Sequence, residues 1–247
     1  MKSSEPARQV DSLRIREKPI YVCENHEMAF YYWCKTRKEM KVNTFFLVMI
    51  DWHTDLMQWG GQLDLRKEVN QLDLNELDEV RELASRSRTQ NDNIAYRQPR
   101  AAMEAGLVTD VLLITHEVPY EKTYEDLSGR KHRIFHCLHP NDLRNLVIEV
   151  PSLKESIDYP EGNRNIILDI DLDFFTYEDD EGKAHVIDEE DFKHIFPNAP
   201  LIWWICEKAR LITIAKEPHF CGGIENSERI LKLLNVHLLT GREACED

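Results

Sequence analysis

The sequence has few of the features that mark fibrous, membrane-bound or nucleic-acid-binding proteins. Glycine occurs only 9 times in 247 residues, which excludes a collagen-like or low-complexity chain. No apolar run approaches the roughly 20 residues of a membrane-spanning helix, so we expect no membrane partner. The chain has 31 basic and 45 acidic residues and a net charge of −14. This charge argues against nucleic acid as a partner, because nucleic-acid affinity rests on Lys and Arg, and it favours a cationic substrate.

Cysteine is present, but without the spacing of a metal or redox motif. The six cysteines form no CxxC pair and no compact framework: Cys23, Cys34, Cys137, Cys206, Cys221 and Cys245. Residues 1–18 are polar and contain no apolar signal core, so we interpret them as an N-terminal arm. Free thiols in a reducing compartment are the simplest interpretation, and we expect a cytoplasmic protein.

Short apolar runs that alternate with helical patterns predict an α/β fold. The runs are continuous, as expected for parallel strands covered on both faces, and span residues 20–22, 45–50, 111–114, 166–168 and 211–215. Helical patterns cover residues 27–40, 74–88, 189–196 and 224–239. We interpret residues 120–140 as a hairpin or excursion, and 179–183 as a turn. The length allows two small domains, but the pattern favours one three-layer α/β/α domain with a mostly parallel sheet over residues 19–247.

Acidic residues and histidine follow two of these runs at every second position. Asp51, His53 and Asp55 come directly after the run 45–50, and the sequence DIDLD occupies residues 169–173, directly after the run 166–168. In an extended chain, residues two apart point the same way, so these side chains can converge. The ends of parallel strands are also where open α/β sheets place their sites. Buried carboxylates this close together are costly unless a cation compensates them.

Two further runs lead to residues of the same kinds. His26 follows the first run, and Glu217 and His219 follow the last. Alone, each motif is also compatible with a solvated turn, an Asx-rich loop or a calcium-type site. Together they favour a metal site of oxygen and imidazole ligands without thiolate, which suits Mn²⁺ better than structural Zn²⁺. Two such ions about 3.5–4 Å apart would share bridging carboxylates.

These motifs resemble those of a known enzyme family. DWHTD is similar to the Asp-Ala-His-Thr-Asp signature of arginases and other ureohydrolases, and LDIDLD resembles their Asp-x-Asp strand end. The resemblance implies an arginase/deacetylase-like fold with two Mn²⁺ per chain. It implies that one ion is held by His26, Asp51, Asp55 and Asp169, and the other by His53, Asp51, Asp169 and Asp171.

Four longer segments resemble a particular branch, the peptide arginases, which convert arginines of ribosomally made precursor peptides to ornithines. The segments are ENHEMAFYYW, IDWHTD, ILDIDLDFF and ITIAKEPHFCGG, and the similarity spans about residues 20–235. This resemblance implies a hydrolase of C–N bonds in linear amidines that releases urea from an arginine-containing precursor peptide. Asp55 would also orient the attacking water, and Glu217 would bind the guanidinium.

The sequence departs from arginases in the segment after DWHTD. Residues 56–62 include neither the Ser/Asn cluster that reads the α-groups of free arginine nor a proton-shuttling His. The departure favours arginine within a peptide. It leaves His116 and His219 as candidates for the shuttle, although either could be a structural histidine. We do not expect Asp173 to bind metal, and interpret it as a cap or a supporting residue.

Three alternatives stay open. A deacetylase of the same general fold is disfavoured because the sequence contains no His-His pair. A small-molecule ureohydrolase, such as an agmatinase, would use the same metal centre. A non-catalytic peptide-binding module would differ in metal content, although every expected ligand is present. The oligomeric state is open, and a homo-oligomer is compatible with the sequence.

Overall fold

Nine strands form two sheets in the structure, a computed structural model that describes residues 18–59, 63–86, 94, 97–149, 153, 165–195 and 200–239. The strands, in chain order, are β1 (Ile20–Cys23), β2 (Phe45–Asp51), β3 (Val108–Thr115), β4 (Thr123–Glu125), β5 (Lys131–Cys137), β6 (Asn165–Asp171), β7 (Thr176–Glu178), β8 (Ala184–Val186) and β9 (Ala209–Ala215). The main sheet has seven strands in the order β1-β9-β6-β2-β3-β5-β4, and β7 and β8 form a separate hairpin.

Helices connect these strands. They are α1 (Glu27–Met40), α2 (Leu63–Gln71), α3 (Leu77–Arg86), α4 (Gln98–Glu104), α5 (Leu143–Glu149), α6 (Glu189–Ile195), α7 (Pro200–Lys208) and α8 (Ile224–Leu234). Short 3-10 turns cover Pro140–Asp142 and Leu172–Phe175, and a π-helical turn, Asn235–Leu239, extends α8. Within the described ranges, no helix is long and apolar enough to cross a membrane.

The main sheet is covered on both faces. Its strands pair in parallel except for β4, which is antiparallel to β5. Along β2, Val48 and Ile50 point into a core that includes residues of α5 to α8, whereas Leu47 and Met49 point into a core with residues of α1 to α4. This alternation confirms the predicted three-layer α/β/α class with a mostly parallel sheet.

The main sheet extends in opposite directions from the neighbouring strands β2 and β6. After β2, the chain passes through α2, α3 and α4 on one face to reach β3. After β6, it passes through α6 and α7 on the other face to reach β9. Since β2 and β6 are parallel neighbours, their carboxyl ends border a crevice at a topological switch point. Open α/β sheets bind ligands in such crevices.

The predicted elements agree with the structure except at some ends. All five apolar runs lie within strands, and the helix over 27–40 is confirmed at both ends. The helix predicted from residue 74 begins at Leu77, because the side chain of Asp73 accepts a hydrogen bond from the backbone N–H of Asn75 and holds a turn there. The hairpin in 120–140 is confirmed by β4 and β5. The N-terminal arm lies outside the described residues except for Lys18, as does Cys245, and the division at residue 18 stays a prediction.

Candidate metal centre

The crevice at the switch point is lined by residues that follow four neighbouring strands. β1, β9, β6 and β2 end at one edge of the sheet. The residues at or near these ends include the ones identified from the sequence, namely His26, Glu217, Asp169, Asp171, Asp173, Asp51, His53 and Asp55. The fold therefore brings together segments that are up to 191 residues apart in the chain.

His26 lies at the centre of the cluster, at the start of α1. Its Nδ1 atom is 3.2 Å from Oδ2 of Asp55, 3.2 Å from Oδ2 of Asp171 and 3.5 Å from Oδ2 of Asp51. Its Nε2 atom is 2.5 Å from Oδ2 of Asp169. All five side chains are buried. The imidazole thus faces carboxylates on both of its nitrogen edges.

The segment after β2 turns sharply to bring its side chains into the crevice. The backbone N–H of His53 donates to Oδ1 of Asp51 at 2.8 Å, and Asp55 adopts a left-handed φ of 47°. A non-glycine residue in that region costs on the order of 1–3 kcal/mol, and such strain is concentrated at functional sites. Buried Arg100 fastens the segment by donating from Nε to the carbonyl of Leu56 at 2.8 Å.

Asp173, which we did not expect to bind metal, also lies in the crevice. Its Oδ2 atom is 3.3 Å from Nδ1 of His53, and its Oδ1 accepts the backbone N–H of Trp52 at 3.1 Å. The side chain of Asp171 accepts the backbone N–H of Asp173 at 3.1 Å and so starts the 3-10 turn that places it there. The signal in the sequence was the unbroken alternation of DIDLD, whose third carboxylate continues the spacing of the first two.

The arrangement of donors fits divalent metal ions. Two overlapping groups place one ligand atom from each member within 4.8 Å of one another: His26 with Asp51 and Asp55, and His53 with Asp51 and Asp173. Asp51 belongs to both groups, as a bridging ligand would. Its Oδ2 is buried and has no hydrogen-bond partner among the described residues. A buried carboxylate oxygen without a hydrogen bond is costly, and a cation would compensate it.

The charges of the site show the same need for a cation. Burial raises the pKa of Asp51 and Asp171 well above the usual carboxyl range, and neighbouring aspartates raise both further. Burial by itself lowers the pKa of His26, but Asp169 and the other carboxylates raise it well above its ordinary value. The hydrogen bond with Asp173 raises the pKa of His53 to about 9. When no metal is bound, protons on these side chains therefore compensate part of the negative charge of the cluster.

Glu217 lies beside the cluster on the segment after β9. It has a left-handed φ of 34°, and its backbone N–H donates to the carbonyl of Glu24 at 3.1 Å. Its Oε1 accepts the backbone N–H of His26 at 2.6 Å, which holds the carboxylate against the first turn of α1. Burial raises the pKa of Glu217 to about 7. This carboxylate is fixed in place next to the cluster.

The two histidines considered for a proton shuttle lie at the rim. The ring of His116 lies 4.4 Å from that of Trp52 and 4.6 Å from that of Phe174, and its Nε2 is 3.3 Å from the carbonyl oxygen of Phe174. His219 is exposed and packs edge-on against Phe220. Neither is in the carboxylate cluster, and the role of each stays a prediction.

Comparison with known proteins gives a weak structural likeness. No protein-family model matches the chain, and neither does any curated protein. Among solved structures, the chain is similar to the arginase of Helicobacter pylori, with a TM-score of 0.42 and 13% sequence identity over 90% of this chain and 74% of that chain. A functional assignment therefore depends on the residues of the site itself.

Proposed function

We propose that the chain is a manganese-dependent hydrolase that converts peptidyl arginine to peptidyl ornithine and urea. The observation that carries this proposal is the group of five buried or half-buried aspartates and histidines at the switch point, with Asp51 shared between its two halves: His26, Asp51, His53, Asp55 and Asp173. Carboxylate and imidazole donors without thiolate suit Mn²⁺. Bound divalent ions lower the pKa of water to about 7 and so supply hydroxide at neutral pH.

The residues around the cluster have distinct tasks in this proposal. Asp55, on its strained turn, would help to hold the metal and would orient the attacking water. Glu217 binds the guanidinium of the substrate, because a carboxylate pairs with that planar cation through two hydrogen bonds. One Glu217 oxygen is already anchored by His26, so the carboxylate is oriented before the substrate arrives. Such pre-orientation lowers the entropic cost of aligning the substrate.

The loop after β2 suits a substrate whose α-amino and α-carboxylate groups are not bound by the protein. Leu56 and Trp59 are buried, and the indole N–H of Trp59 donates to the hydroxyl of Tyr124 at 2.9 Å. Of the four residues 56–59, the two facing solvent are Met57 and Gln58, and neither carries a charge that would pair with a free amino acid. Residues 60–62 lie outside the described part of the chain.

Exposed apolar side chains on the neighbouring loop suit a peptide. Val118 and Tyr120 follow β3 at the same edge of the sheet and are 66% and 102% exposed, and Met57 is 53% exposed. Such side chains offer contacts to residues flanking an arginine. The cysteines of the described chain are free and buried, which agrees with our proposal of a cytoplasmic location. A precursor peptide made in the same cell would be accessible to the protein there.

A urea assay tests this function directly. The protein is reconstituted with Mn²⁺ and given free arginine, arginine blocked at both α-groups, agmatine and an arginine-containing peptide. We expect urea from the peptide and from blocked arginine, with free arginine the poorer substrate. Preference for free arginine or agmatine would replace the proposal with a small-molecule ureohydrolase. No urea from any of them would leave a deacetylase or a binding module.

Matched variants distinguish the loss of a metal ligand from the general effect of removing a buried carboxylate. Asp51→Asn removes the shared ligand and should abolish urea release. Asp110→Asn removes another buried aspartate, which pairs with Arg133 at 2.7 Å near the opposite end of β3. We expect Asp110→Asn to retain activity, apart from any loss of stability.

A further inference from the structure

We propose that Asp169 positions His26 rather than binding a metal ion, and that the ligands are Asp171, at the end of β6, and Asp173, in the 3-10 turn that follows it. This inference rests on the proposed metal centre but changes its ligands. It departs from the resemblance, which assigns Asp169 to both ions and leaves Asp173 out. Four independent observations support it: strand register, the two edges of His26, the partners of Asp169, and the neighbours of His53.

The strand register places Asp169 deeper in the sheet than the crevice. Asp169 pairs with Met49 of β2, and Ile170 pairs with Ile50. Asp171 therefore ends its strand level with Asp51. With a rise of about 3.3 Å per residue, Asp169 lies about 6.6 Å below that level, among the core side chains under α1. A ligand shared with Asp51 is better supplied by Asp171 than by Asp169.

The two nitrogen atoms of His26 face different surroundings. Nδ1 faces the side chains of Asp51, Asp55 and Asp171, whereas Nε2 faces Asp169 alone. Metal-binding histidines commonly coordinate through one nitrogen and donate the N–H of the other to a carboxylate, which fixes the ring. The geometry assigns Nδ1 to the metal and Nε2–H to Asp169.

Both oxygens of Asp169 already have protein partners. Oδ2 accepts from His26, and Oδ1 accepts from the hydroxyl of Thr213, its direct neighbour on β9. The oxygen of Thr213 also accepts the indole N–H of Trp33 at 3.0 Å, and a hydroxyl can accept one hydrogen bond while it donates another. The Thr213 hydroxyl therefore keeps its proton for the carboxylate of Asp169, which accepts it. In contrast, Oδ2 of Asp51 has no hydrogen-bond partner among the described residues.

Asp173 takes the place that the resemblance gave to the second aspartate. One of its oxygens lies 3.3 Å from Nδ1 of His53, and the two residues form a potential metal group with Asp51. The other oxygen is held by the backbone N–H of Trp52, so the carboxylate is oriented toward His53. The proposed ligands are thus shifted by two residues along the chain, from 169 and 171 to 171 and 173.

The inference predicts different metal binding for three neighbouring aspartates. Binding of Mn²⁺ is measured by calorimetry, and bound metal by elemental analysis at saturation. Asp169→Asn should still hold two ions, with affinity reduced about 10- to 100-fold, as for other residues that orient a ligand. Asp171→Asn and Asp173→Asn should each lower the number of bound ions. The inference is overturned if Asp169→Asn lowers that number as Asp171→Asn does, or if Asp173→Asn leaves both number and affinity unchanged.

Substitutions of Thr213 test the positioning chain without touching any carboxylate. Thr213→Val removes the hydroxyl at nearly constant volume and should weaken Mn²⁺ binding, whereas Thr213→Ser should restore it. Thr36→Val is the matched control, because Thr36 is a buried threonine of α1 whose hydroxyl has no hydrogen-bond partner among the described residues. Equal affinities for the Val and Ser variants of Thr213 would contradict the positioning chain.

Nitrogen NMR reads the orientation of His26 directly. The protein is labelled with ¹⁵N-histidine, loaded with Zn²⁺ as a diamagnetic probe, and compared with His26→Gln to assign the signals. We expect Nδ1 to carry the metal and Nε2 the proton; the reverse would overturn the inference. If the wild-type protein bound no metal at all, the proposed function itself would fail. Two bound ions with Nε2 as the ligand would refute only the role of Asp169.

Discussion

Replacing Glu217 with Gln tests how the substrate is held. In the structure, Oε1 of Glu217 accepts the backbone N–H of His26 at 2.6 Å. The amide oxygen of Gln can accept the same bond, so the segment after β9 and the metal content should be preserved. The amide NH₂ then faces the guanidinium, where a donor meets a donor. Losing a hydrogen bond to a charged group costs about 1.5–3 kcal/mol.

That free energy translates into a measurable loss of rate. Because about 1.36 kcal/mol corresponds to a tenfold change, kcat/KM for blocked arginine should fall roughly 10- to 150-fold. Urea release is measured at fixed Mn²⁺, together with bound metal. Glu225→Gln, at an exposed position in the first turn of α8, removes one negative charge in the same way and serves as the control. If Glu217→Gln stayed within twofold of the wild type at equal metal content, Glu217 would not be the guanidinium-binding residue.

Three further predictions concern metal and stability. Mn²⁺ at 100 times its Kd should stabilise the wild type by about 2.7 kcal/mol for each site that it fills and raise its Tm, and Asp51→Ala should abolish that shift in a thermal melt. Burial raises the pKa of Asp51 and Asp171, so Mn²⁺ binding should release protons from the site. The affinity for Mn²⁺ should therefore increase as pH rises above about 4. A binding enthalpy that is the same in buffers of different ionisation enthalpy would contradict this proton release. Although burial opposes it, hydrogen bonds from Ser128 and Arg130 lower the pKa of Asp126, so Asp126→Asn should cost about 1–3 kcal/mol in urea denaturation at neutral pH. Since the folded pKa is lowered, this stabilisation is present above about pH 4 and is lost as pH falls through the folded pKa; a difference that persisted in strong acid would refute it.

The strands and their chemistry could be predicted from the sequence because both depend on local patterns. The apolar run 45–50 is buried along its whole length, and the polar residues after it lie at the end of β2. The helix Glu27–Met40 was predicted with correct bounds because a single helical pattern in the sequence covers its whole length. The hairpin of β7 and β8 was predicted only as a turn, since three-residue strands leave too short an alternation to recognise.

The arrangement of the three aspartates at the end of β6 and in the turn after it could not be predicted from their spacing. A period of two places Asp169, Asp171 and Asp173 toward the same face of the sheet, but it says nothing of depth. Depth depends on the register with β2 and β9, which lie more than 30 residues away in the chain. For the same reason, the contact between Asp169 and Thr213 is invisible in the sequence. Such non-local pairing decides which carboxylates can share a metal ion.

The location of bound manganese is the most direct test of the account. Crystals of the protein reconstituted with Mn²⁺ would be measured near the manganese absorption edge, and an anomalous difference map would be calculated. We predict two peaks in the crevice between the ends of β2 and β6, about 3.5–4 Å apart, with Asp51 beside both. A map without peaks there would contradict the proposed metal centre, whether Mn²⁺ bound at full occupancy elsewhere or did not bind at all.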